Sequence, residues 1–248
     1  MEKKNVILSL YPTTKLLMIL LIAVSVFIIP SYLYAYAMFL VCLVIAAMGN
    51  VTKEFANLTI KGLFSLCILI FVLQSFFYPG THVLWEWGFL AIKQEGIHFG
   101  LTLTSKVIAV GSSLILFFRI TPVKDFVYSL EVMGLSPKAT YVVLSTLTII
   151  PEMKKSSQVI MDAQKTRGVE TEGSLMVRLK ALLPMITPLV LSSVASTEER
   201  AMALEARAFT VNKRKTSIYS IEKTGRDSFI RVLLLVLLIL LIVWRVAL

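Results

Sequence analysis

The sequence predicts an all-α, polytopic membrane protein with about five transmembrane helices and a cytoplasmic group of amphipathic helices. Composition is the first reason, since 57% of the 248 residues are hydrophobic and 16% are charged. A soluble domain is about 45–50% apolar and about 25% charged. The second reason is a series of apolar windows that approach the roughly 20 residues needed to cross a bilayer as a helix. The third is a long basic segment before the last window.

Residues 1–120 hold the first predicted spans and are interpreted as a membrane domain. These spans are Leu16–Pro30, Tyr32–Met48, Gly62–Tyr78 and Leu101–Phe118. A tight turn at Pro30-Ser31 separates the first two, and Tyr11–Lys15 is a candidate extension of the first, which is short. We expect no separate signal peptide, because the charged Met1–Asn5 stretch leads into an apolar run that is followed directly by another.

Lys106 is the charged side chain of the fourth predicted span. A cation at that depth must face the protein interior, a polar cavity or another chain. No acidic residue lies within any predicted span to pair with it. We therefore expect Lys106 to reach the membrane surface along its aliphatic stem or to bond a backbone carbonyl.

The last predicted span, Phe229–Val246, contains an unbroken run of Leu, Ile and Val from Val232 to Val243. It defines a C-terminal transmembrane helix within residues 229–248. Residues 121–228 between the two membrane portions are interpreted as a cytoplasmic and membrane-interface region that carries amphipathic helices.

The positions of the basic residues predict the orientation in the membrane. Of the 25 Lys and Arg residues, 17 lie between Arg119 and Arg231. If the spans alternate, the same side holds Lys3, Lys4, Lys15, Lys53 and Lys61. The positive-inside rule makes that side, and the N-terminus, cytoplasmic. The opposite side then holds the Tyr78–Gly100 loop, with Trp85 and Trp87 as interfacial anchors.

The formal net charge of +10 does not require nucleic acid as a partner. Topology and the anionic headgroups of the lipid bilayer account for a basic bias of this kind. The localisation that we expect is the cell membrane of a bacterium or archaeon, with multiple spans.

The candidate residues for chemistry are few. Cys42 and Cys67 lie inside predicted spans, where a thiol behaves as a small apolar side chain, so a disulfide framework is not expected. His82 and His98 are the only histidines, with Glu86 and Glu95 nearby. Loop histidines without an i, i+4 spacing are more typical of a surface than of a metal site. An intramembrane enzyme needs convergent catalytic groups, and we expect neither catalytic nor metal-binding residues.

Turn signals divide the basic segment into helices. Thr121-Pro122 has the pattern of a helix start, and the stretch that follows, Val123–Met133, stops at Gly134. Ser136-Pro137 restarts the chain in the same way. The apolar Ala139–Ile150 piece is too short to span, so we expect it to lie partly within the bilayer.

The later pieces include two polar helices. Glu152–Arg167 ends at Gly168, a suitable C-cap residue. Leu175–Ser193 is expected to be kinked by Pro184 and Pro188. Thr197–Phe209 then forms a second charged helix, which again has an arginine near its end.

One pattern, Ala-x-x-x-Arg-small, occurs twice in this segment, at Ala163–Gly168 and at Ala203–Ala208. Helical spacing predicts corresponding faces formed by Ile160, Ala163, Gln164 and Arg167, and by Arg200, Ala203, Leu204 and Arg207. A single arginine at a helix C-terminus is explained by the helix dipole. Two in equivalent positions favour docking, because the planar guanidinium can enter a groove and make two parallel hydrogen bonds there.

The chain resembles the transmembrane T components of energy-coupling factor (ECF) importers, the CbiQ/EcfT-like family. The resemblance rests on Thr166-Arg167-Gly168 and Ala206-Arg207-Ala208, on the leaders Met161–Gln164 and Ala201–Glu205, and on the stretches Thr121–Pro137 and Leu10–Leu17. It covers nearly the whole chain. The paired motifs are far more specific than a single Ala-Arg-Gly.

The resemblance implies two cytoplasmic coupling helices that dock into grooves on two ABC-type ATPase subunits. The docking residues that it implies are Ala163, Thr166, Arg167, Gly168, Ala203, Glu205, Ala206, Arg207 and Ala208. It also implies an apolar surface for a small substrate-binding membrane protein, the S component, which imports a vitamin or a metal ion. The ATPases bind ATP and Mg²⁺, and this chain binds no cofactor.

The sequence departs from the family's usual Ala-Arg-Gly at Thr166 and at Ala208. Because alanine lacks the freedom of glycine at positive φ, we expect the second helix to run one turn further. Phe209 is then expected to pack against an ATPase or the membrane surface.

Two transporter alternatives remain open at this point. A conventional importer permease reaches its ATPase through one coupling loop and forms the substrate path itself, and it does not need the second motif. A self-contained membrane carrier binds its substrate unaided. Substrate binding by the purified chain separates both alternatives from the T component.

Overall fold

The computed structural model describes residues 7–87, 90–170, 173–209, 211, 219–221 and 223–247. The chain forms two compact units. The main unit comprises Met1–Met133 and Ile221–Leu248, and the inserted unit comprises Gly134–Ser220. The predicted all-α class is confirmed, with a single two-stranded hairpin in the described part of the chain.

The main unit consists of helices and one hairpin. Its helices are α1 (Pro12–Ile28), α2 (Tyr32–Met48), α3 (Thr52–Leu58), a π-helical turn (Thr59–Phe64), α4 (Ser65–Phe77), α5 (Gln94–Ile120), α6 (Val123–Val132) and α9 (Gly225–Ala247). Strands β1 (Val83–Trp87) and β2 (Leu90–Lys93) pair antiparallel between α4 and α5. The side chains of Trp85 and Trp87, expected as anchors, lie outside the described residues.

The inserted unit contains α7 (Pro137–Thr166) and α8 (Leu175–Ala206), which pack against each other. Ser136 caps α7 as predicted, since its Oγ accepts a hydrogen bond from Ala139 N at 3.3 Å. Gly134, at the end of α6, has the left-handed φ of +118° that glycine permits. The helix-ending role predicted for Gly134 is therefore confirmed.

The predicted breaks inside the inserted unit are wrong. The pieces Ala139–Ile150 and Glu152–Arg167 belong to one helix of 30 residues, and Leu175–Ser193 and Thr197–Phe209 belong to one of 32. The proline in α7 and the two prolines in α8 lie inside helices that continue through them. An internal proline removes one backbone hydrogen bond and bends a helix, and here tertiary packing maintains the helix.

Several described helices are long and apolar enough to cross a membrane. They are Thr52–Phe77, Gln94–Ile120, Leu175–Ala206 and Gly225–Arg245, and α1 and α2 are shorter apolar helices. Three of the long helices contain the spans predicted at Gly62–Tyr78, Leu101–Phe118 and Phe229–Val246, except for one residue at the C-terminal end of the first and of the last of these spans. The fourth, α8, was not among the predicted spans, because the sequence predicted a division of this stretch into Leu175–Ser193 and Thr197–Phe209.

Helix α5 is the central element of the main unit, where it packs on α1, α2 and α4. Its buried Leu116 and Ile120 join Ile22, Cys42 and Phe55 in a core cluster. A close approach at the other end requires Gly96, because a Cβ there would lie 2.8 Å from the backbone oxygen of Gln74. Small residues allow such helix contacts in membranes.

Two helix starts differ from the sequence prediction. Helix α5 begins at Gln94, inside the stretch expected to be a loop. Its first turn contains Glu95, whose negative charge complements the positive helix end. Helix α6 begins at Val123 with Pro122 as its N-cap, one residue later than the start expected at Thr121-Pro122.

Candidate docking site

The first arginine motif ends α7 in a hydrogen-bonded Schellman turn. Arg167 is the C-cap residue, and Gly168 follows it with φ of +84°. The N–H of Gly168 donates to the carbonyl of Lys165 at 3.0 Å, and the N–H of Val169 donates to that of Gln164 at 3.1 Å. These two bonds satisfy carbonyl groups that would otherwise lack partners at the helix end.

The second motif ends α8 with the same bonding pattern. Arg207 is the C-cap residue, and Ala208 follows with φ of +57°. The N–H of Ala208 donates to the carbonyl of Glu205 at 2.8 Å, and the N–H of Phe209 donates to that of Leu204 at 2.9 Å. Each bond matches its counterpart in the first motif.

The expectation that α8 runs one turn further because Ala208 replaces glycine is wrong. The helix ends at Ala206, and Ala208 adopts the left-handed conformation that Gly168 adopts in the first motif. That conformation costs an L-residue about 1–2 kcal/mol. The bonds from Ala208 and Phe209 to the preceding turn offset this cost.

The candidate docking residues are accessible on both helix ends. Arg167 and Arg207 are exposed, as are Ala163, Thr166, Gly168, Ala203, Glu205, Ala206 and Ala208. Each guanidinium follows the last turn of its helix, where a positive charge complements the negative end of the helix dipole. Both arginines are therefore accessible to a carboxylate or a carbonyl of a partner.

A backbone carbonyl of α8 accepts a hydrogen bond from a residue of the first motif helix. Pro188 has no N–H, so it cannot donate the helical hydrogen bond to the carbonyl of Pro184. The Nε2 of Gln164 donates to that carbonyl instead, at 3.2 Å. Gln164 is buried against α8, whereas Arg167 is exposed. Gln164 and Arg167, which were predicted to share one helix face, therefore differ in solvent exposure.

An aromatic contact supports the second motif. The ring of Phe209 packs on Tyr141, with centroids 5.2 Å apart, and its contact with an ATPase or the membrane surface stays a prediction. Tyr141 lies near the start of α7. The end of α8 is thus attached to the other helix of the inserted unit.

Arg200 differs in role from the rest of its predicted face. Its Nη2 pairs with the Oε2 of Glu152 and so links α8 to α7. The predicted face assigned Arg200 no partner and overlooked Glu152 and Pro184. Pro188 was an available signal, since a proline inside a helix leaves the carbonyl four residues earlier without its donor.

Comparison with known proteins adds the family. The profile of the CbiQ family, described as "Cobalt transport protein", matches residues 3–218. The chain belongs to this family. It is 28% identical over 240 residues to the energy-coupling factor transporter transmembrane protein EcfT of Acidaminococcus fermentans, an alignment that covers 93% of this chain and 89% of the relative. The EcfT protein of Brevibacillus brevis is 26% identical over 245 residues, with 94% and 92% covered.

The predicted resemblance to ECF transporter T components is confirmed by the CbiQ profile and by these relatives. A further EcfT protein, from Staphylococcus aureus, is 26% identical over 94% of this chain and 91% of its own length. The chain is a multi-pass transporter membrane protein of this family. The docking roles of the individual candidate residues stay predictions.

Within the described residues of this family member, no group of three or more His, Cys, Asp and Glu side chains is placed to hold a metal ion. Glu95 accepts hydrogen bonds from the N–H groups of Thr81 and His82 at 3.1 and 3.2 Å, and His98 contacts the ring of Tyr32 edge-on. The side chain of Glu86 lies outside the described residues.

Lys106, Cys42 and Cys67 were the remaining candidate side chains within the predicted spans. The Nζ of Lys106 lies 5.8 Å from the ring centroid of Phe27, a cation–π contact that the sequence did not indicate. Cys42 and Cys67 are free thiols and buried.

Proposed function

We propose that this chain couples two ABC-type ATPase subunits to a separate small substrate-binding membrane protein, the S component. The observation that carries the proposal is the pair of exposed arginine-ended helices with matching backbone geometry in one compact unit. A helix dipole explains one such arginine. Two copies of the same turn fit two equivalent grooves on two ATPases.

Each arginine end offers the same chemistry to an ATPase. The guanidinium makes two parallel, charge-assisted hydrogen bonds to a groove carboxylate or to carbonyl groups. The small side chains next to it, at Gly168 and Ala208, let the groove wall approach the helix end closely. Neither the arginines nor their neighbours supply a group for ATP hydrolysis, so ATP and Mg²⁺ are bound by the ATPases.

The inserted unit links the two docking ends mechanically. Gln164 bonds the backbone of α8 beside its prolines, and Glu152 and Arg200 form an ion pair between α7 and α8. Closure of the ATPases on ATP therefore displaces both helices together. In this proposal the displacement reorients the S component so that its substrate, a vitamin or a metal ion, is released inward.

The proposed location is the cell membrane of a bacterium or archaeon, with the N-terminus in the cytoplasm. The basic residues between Arg119 and Arg231 support this orientation, because cytoplasmic segments carry an excess of Lys and Arg. The lipid bilayer is a partner in this location, whereas nucleic acid is not.

Affinity purification of the tagged chain from its native membranes in mild detergent tests the proposal. We expect two ABC-type ATPases and at least one small membrane protein to co-purify. A chain that purifies alone and binds a small molecule unaided would instead identify a self-contained carrier. A chain that purifies with ATPases and binds substrate without a second membrane protein would identify a conventional permease.

A further inference from the structure

The inserted unit is connected to the main unit at two points of the chain. The chain leaves the main unit after α5 and α6 and returns to it at Ile221, just before α9. In the main unit, the end of α5, which leads into α6, and the start of α9 are both bonded to the start of α1.

Lys15 holds the end of α5, the helix that leads through α6 to the first point. This lysine is 3% exposed, and its Nζ donates to the carbonyls of Leu8 and Ile120, both at 2.9 Å. Ile120 is the last residue of α5, so its carbonyl has no donor within the helix. The ammonium group supplies that donor and places a positive charge at the negative end of the helix dipole.

Helix α6 is fixed to the same corner. Its Phe126 packs edge-on against Phe117 of α5, with ring centroids 5.3 Å apart. The corner between α5 and α6 is thus held by an aromatic contact and by the ammonium group of Lys15. Any force on α6 acts on a helix end that is attached to α1.

The second point is held by Asp227. This residue is 1% exposed, and its Oδ1 accepts a hydrogen bond from Tyr11 N at 2.8 Å. Its Oδ2 accepts one from Thr224 N at 3.0 Å. Tyr11 and Thr224 directly precede α1 and α9. One carboxylate therefore bonds the positive ends of both helices, as a capping residue does within a single helix.

Two further contacts join α9 to α1. Arg231 Nη2 donates to Thr13 Oγ1 at 3.0 Å, and Lys223 lies over the ring of Tyr11, 5.1 Å from its centroid. Most other large side chains of α9, such as Phe229 and Val232, are exposed. The polar contacts therefore specify where α9 sits on α1, because its uniform apolar surface offers no such marker.

Buried charges of this kind are costly unless each one is bonded. Lys15 lies in the first turn of α1 and bonds the end of α5, whereas Asp227 lies in the first turn of α9 and bonds Tyr11, the residue before α1. We propose that Lys15 and Asp227 are positioning residues that transmit displacement of the inserted unit into the main unit. This inference rests on the proposed function, in which the ATPases displace α7 and α8.

Hydrogen–deuterium exchange on the intact chain, purified with its ATPases and measured with and without a non-hydrolysable ATP analogue, tests the proposal without knowledge of the cargo. In the natural complex we expect the analogue to change exchange at the ends of α7 and α8 and also in α1, α5 and α9. In Lys15→Met and Asp227→Asn we expect the response of α7 and α8 to remain. The response of the main unit should shrink by at least about fivefold, the size of a typical coupling between sites.

Two controls separate positioning from simple stability. Lys106→Met removes a membrane lysine outside this cluster and should leave both responses unchanged, and Lys15→Arg keeps the charge and the donors and should retain the main-unit response. A variant that responds normally in both units contradicts the proposal. The proposal is also contradicted if the main unit of both variants exchanges its amides rapidly before nucleotide is added. That result would show that the two residues stabilise the fold and do not act as positioning residues.

The natural complex distinguishes failure of this inference from failure of the proposed function. If the analogue changes α7 and α8 but leaves the main unit unchanged, the positioning role is wrong and the proposed function stands. If the analogue changes neither unit, or if no ATPase co-purifies, the proposed function itself is wrong.

Discussion

The C-terminal turns of the two arginine-ended helices have the same backbone conformation but different side chains. Both end in a C-cap arginine, a left-handed residue and the same pair of hydrogen bonds. The left-handed residue is Gly168 in one and Ala208 in the other, and the residue after it is Val169 or Phe209. The comparison teaches that the duplicated feature is the helix-ending turn, which alanine also forms when both bonds are made.

The two ends also differ in what supports them. Gln164 fixes the first end to the free carbonyl of Pro184 in α8, and Phe209 fixes the second end to Tyr141 in α7. Each end is therefore attached to the other helix, by a hydrogen bond in one case and by an aromatic contact in the other. Variants at these positions should affect one end and not its counterpart.

The largest effect is expected from removal of both arginines, which tests whether the two ends share one role. If each guanidinium is desolvated against a groove carboxylate, its loss costs about 2–5 kcal/mol, or roughly thirtyfold or more in affinity. Arg167→Ala with Arg207→Ala should abolish ATPase co-purification and transport while membrane insertion is retained. Arg178→Ala removes an exposed arginine of the same unit outside the motifs and serves as the control. Near-normal co-purification by the double variant would refute the prediction.

The next effect tests the support of the first end. Gln164→Leu leaves the carbonyl of Pro184 buried without a donor, which costs about 1–3 kcal/mol. Thermal unfolding of the purified chain in mild detergent should detect this loss of stability. Pro188→Ala restores a backbone N–H to the same carbonyl, so the double variant Gln164→Leu with Pro188→Ala should recover most of the loss. An equal loss in the single and double variants would show that the carbonyl is not the cause.

A reciprocal exchange of glycine and alanine tests the shared turn. Gly168→Ala introduces a Cβ that meets nothing within 4 Å, so its cost of about 1–2 kcal/mol comes from the left-handed backbone alone. Ala208→Gly should gain stability of similar size, reduced by the greater freedom of glycine in the unfolded chain. Amide exchange in the last turns of α7 and α8 should shift in opposite directions. Shifts in the same direction would contradict the equivalence of the two turns.

The smallest effect is expected at the aromatic support of the second end. An aromatic pair contributes about 0.5–1.5 kcal/mol beyond its buried area. Phe209→Leu keeps an apolar residue but loses the ring contact with Tyr141, and it should increase amide exchange at the end of α8. Val169→Leu is the matched change after the first arginine and should leave exchange at the end of α7 unaltered. Unchanged exchange in Phe209→Leu would show that the ring contact does not hold this end.

The sequence predicted most of the apolar helices and the end of the first motif helix from local signals. Apolar windows indicate spans, and Gly168 indicates a helix end. The sequence could not predict that Ala208 ends α8, because the hydrogen bonds of that turn compete with the intrinsic preference of alanine. It also missed that α7 and α8 continue through their prolines, since the packing of one helix on the other overrides the local signal.

The buried polar contacts of the main unit could not be predicted from the sequence either. Lys15 and Ile120 are far apart in the sequence, as are Tyr11 and Asp227, so no local spacing indicates that they meet. The sequence indicated only that Lys15 is one of the basic residues on the cytoplasmic side of the membrane. Its burial, and the helix end that it bonds, become evident only once α1, α5 and α9 are packed together.

The most direct test of the two docking ends is site-specific photo-crosslinking at Ala163 and Ala203. Both residues are exposed, about one helical turn before Arg167 and Arg207. A photoreactive amino acid placed at either position in the natural membrane should crosslink to an ABC-type ATPase subunit, and one placed at exposed Phe229 of α9 should not. Crosslinks to an ATPase from both positions are the predicted result. A crosslink from only one position, or from neither, would contradict the claim that the duplicated turn forms two equivalent docking sites.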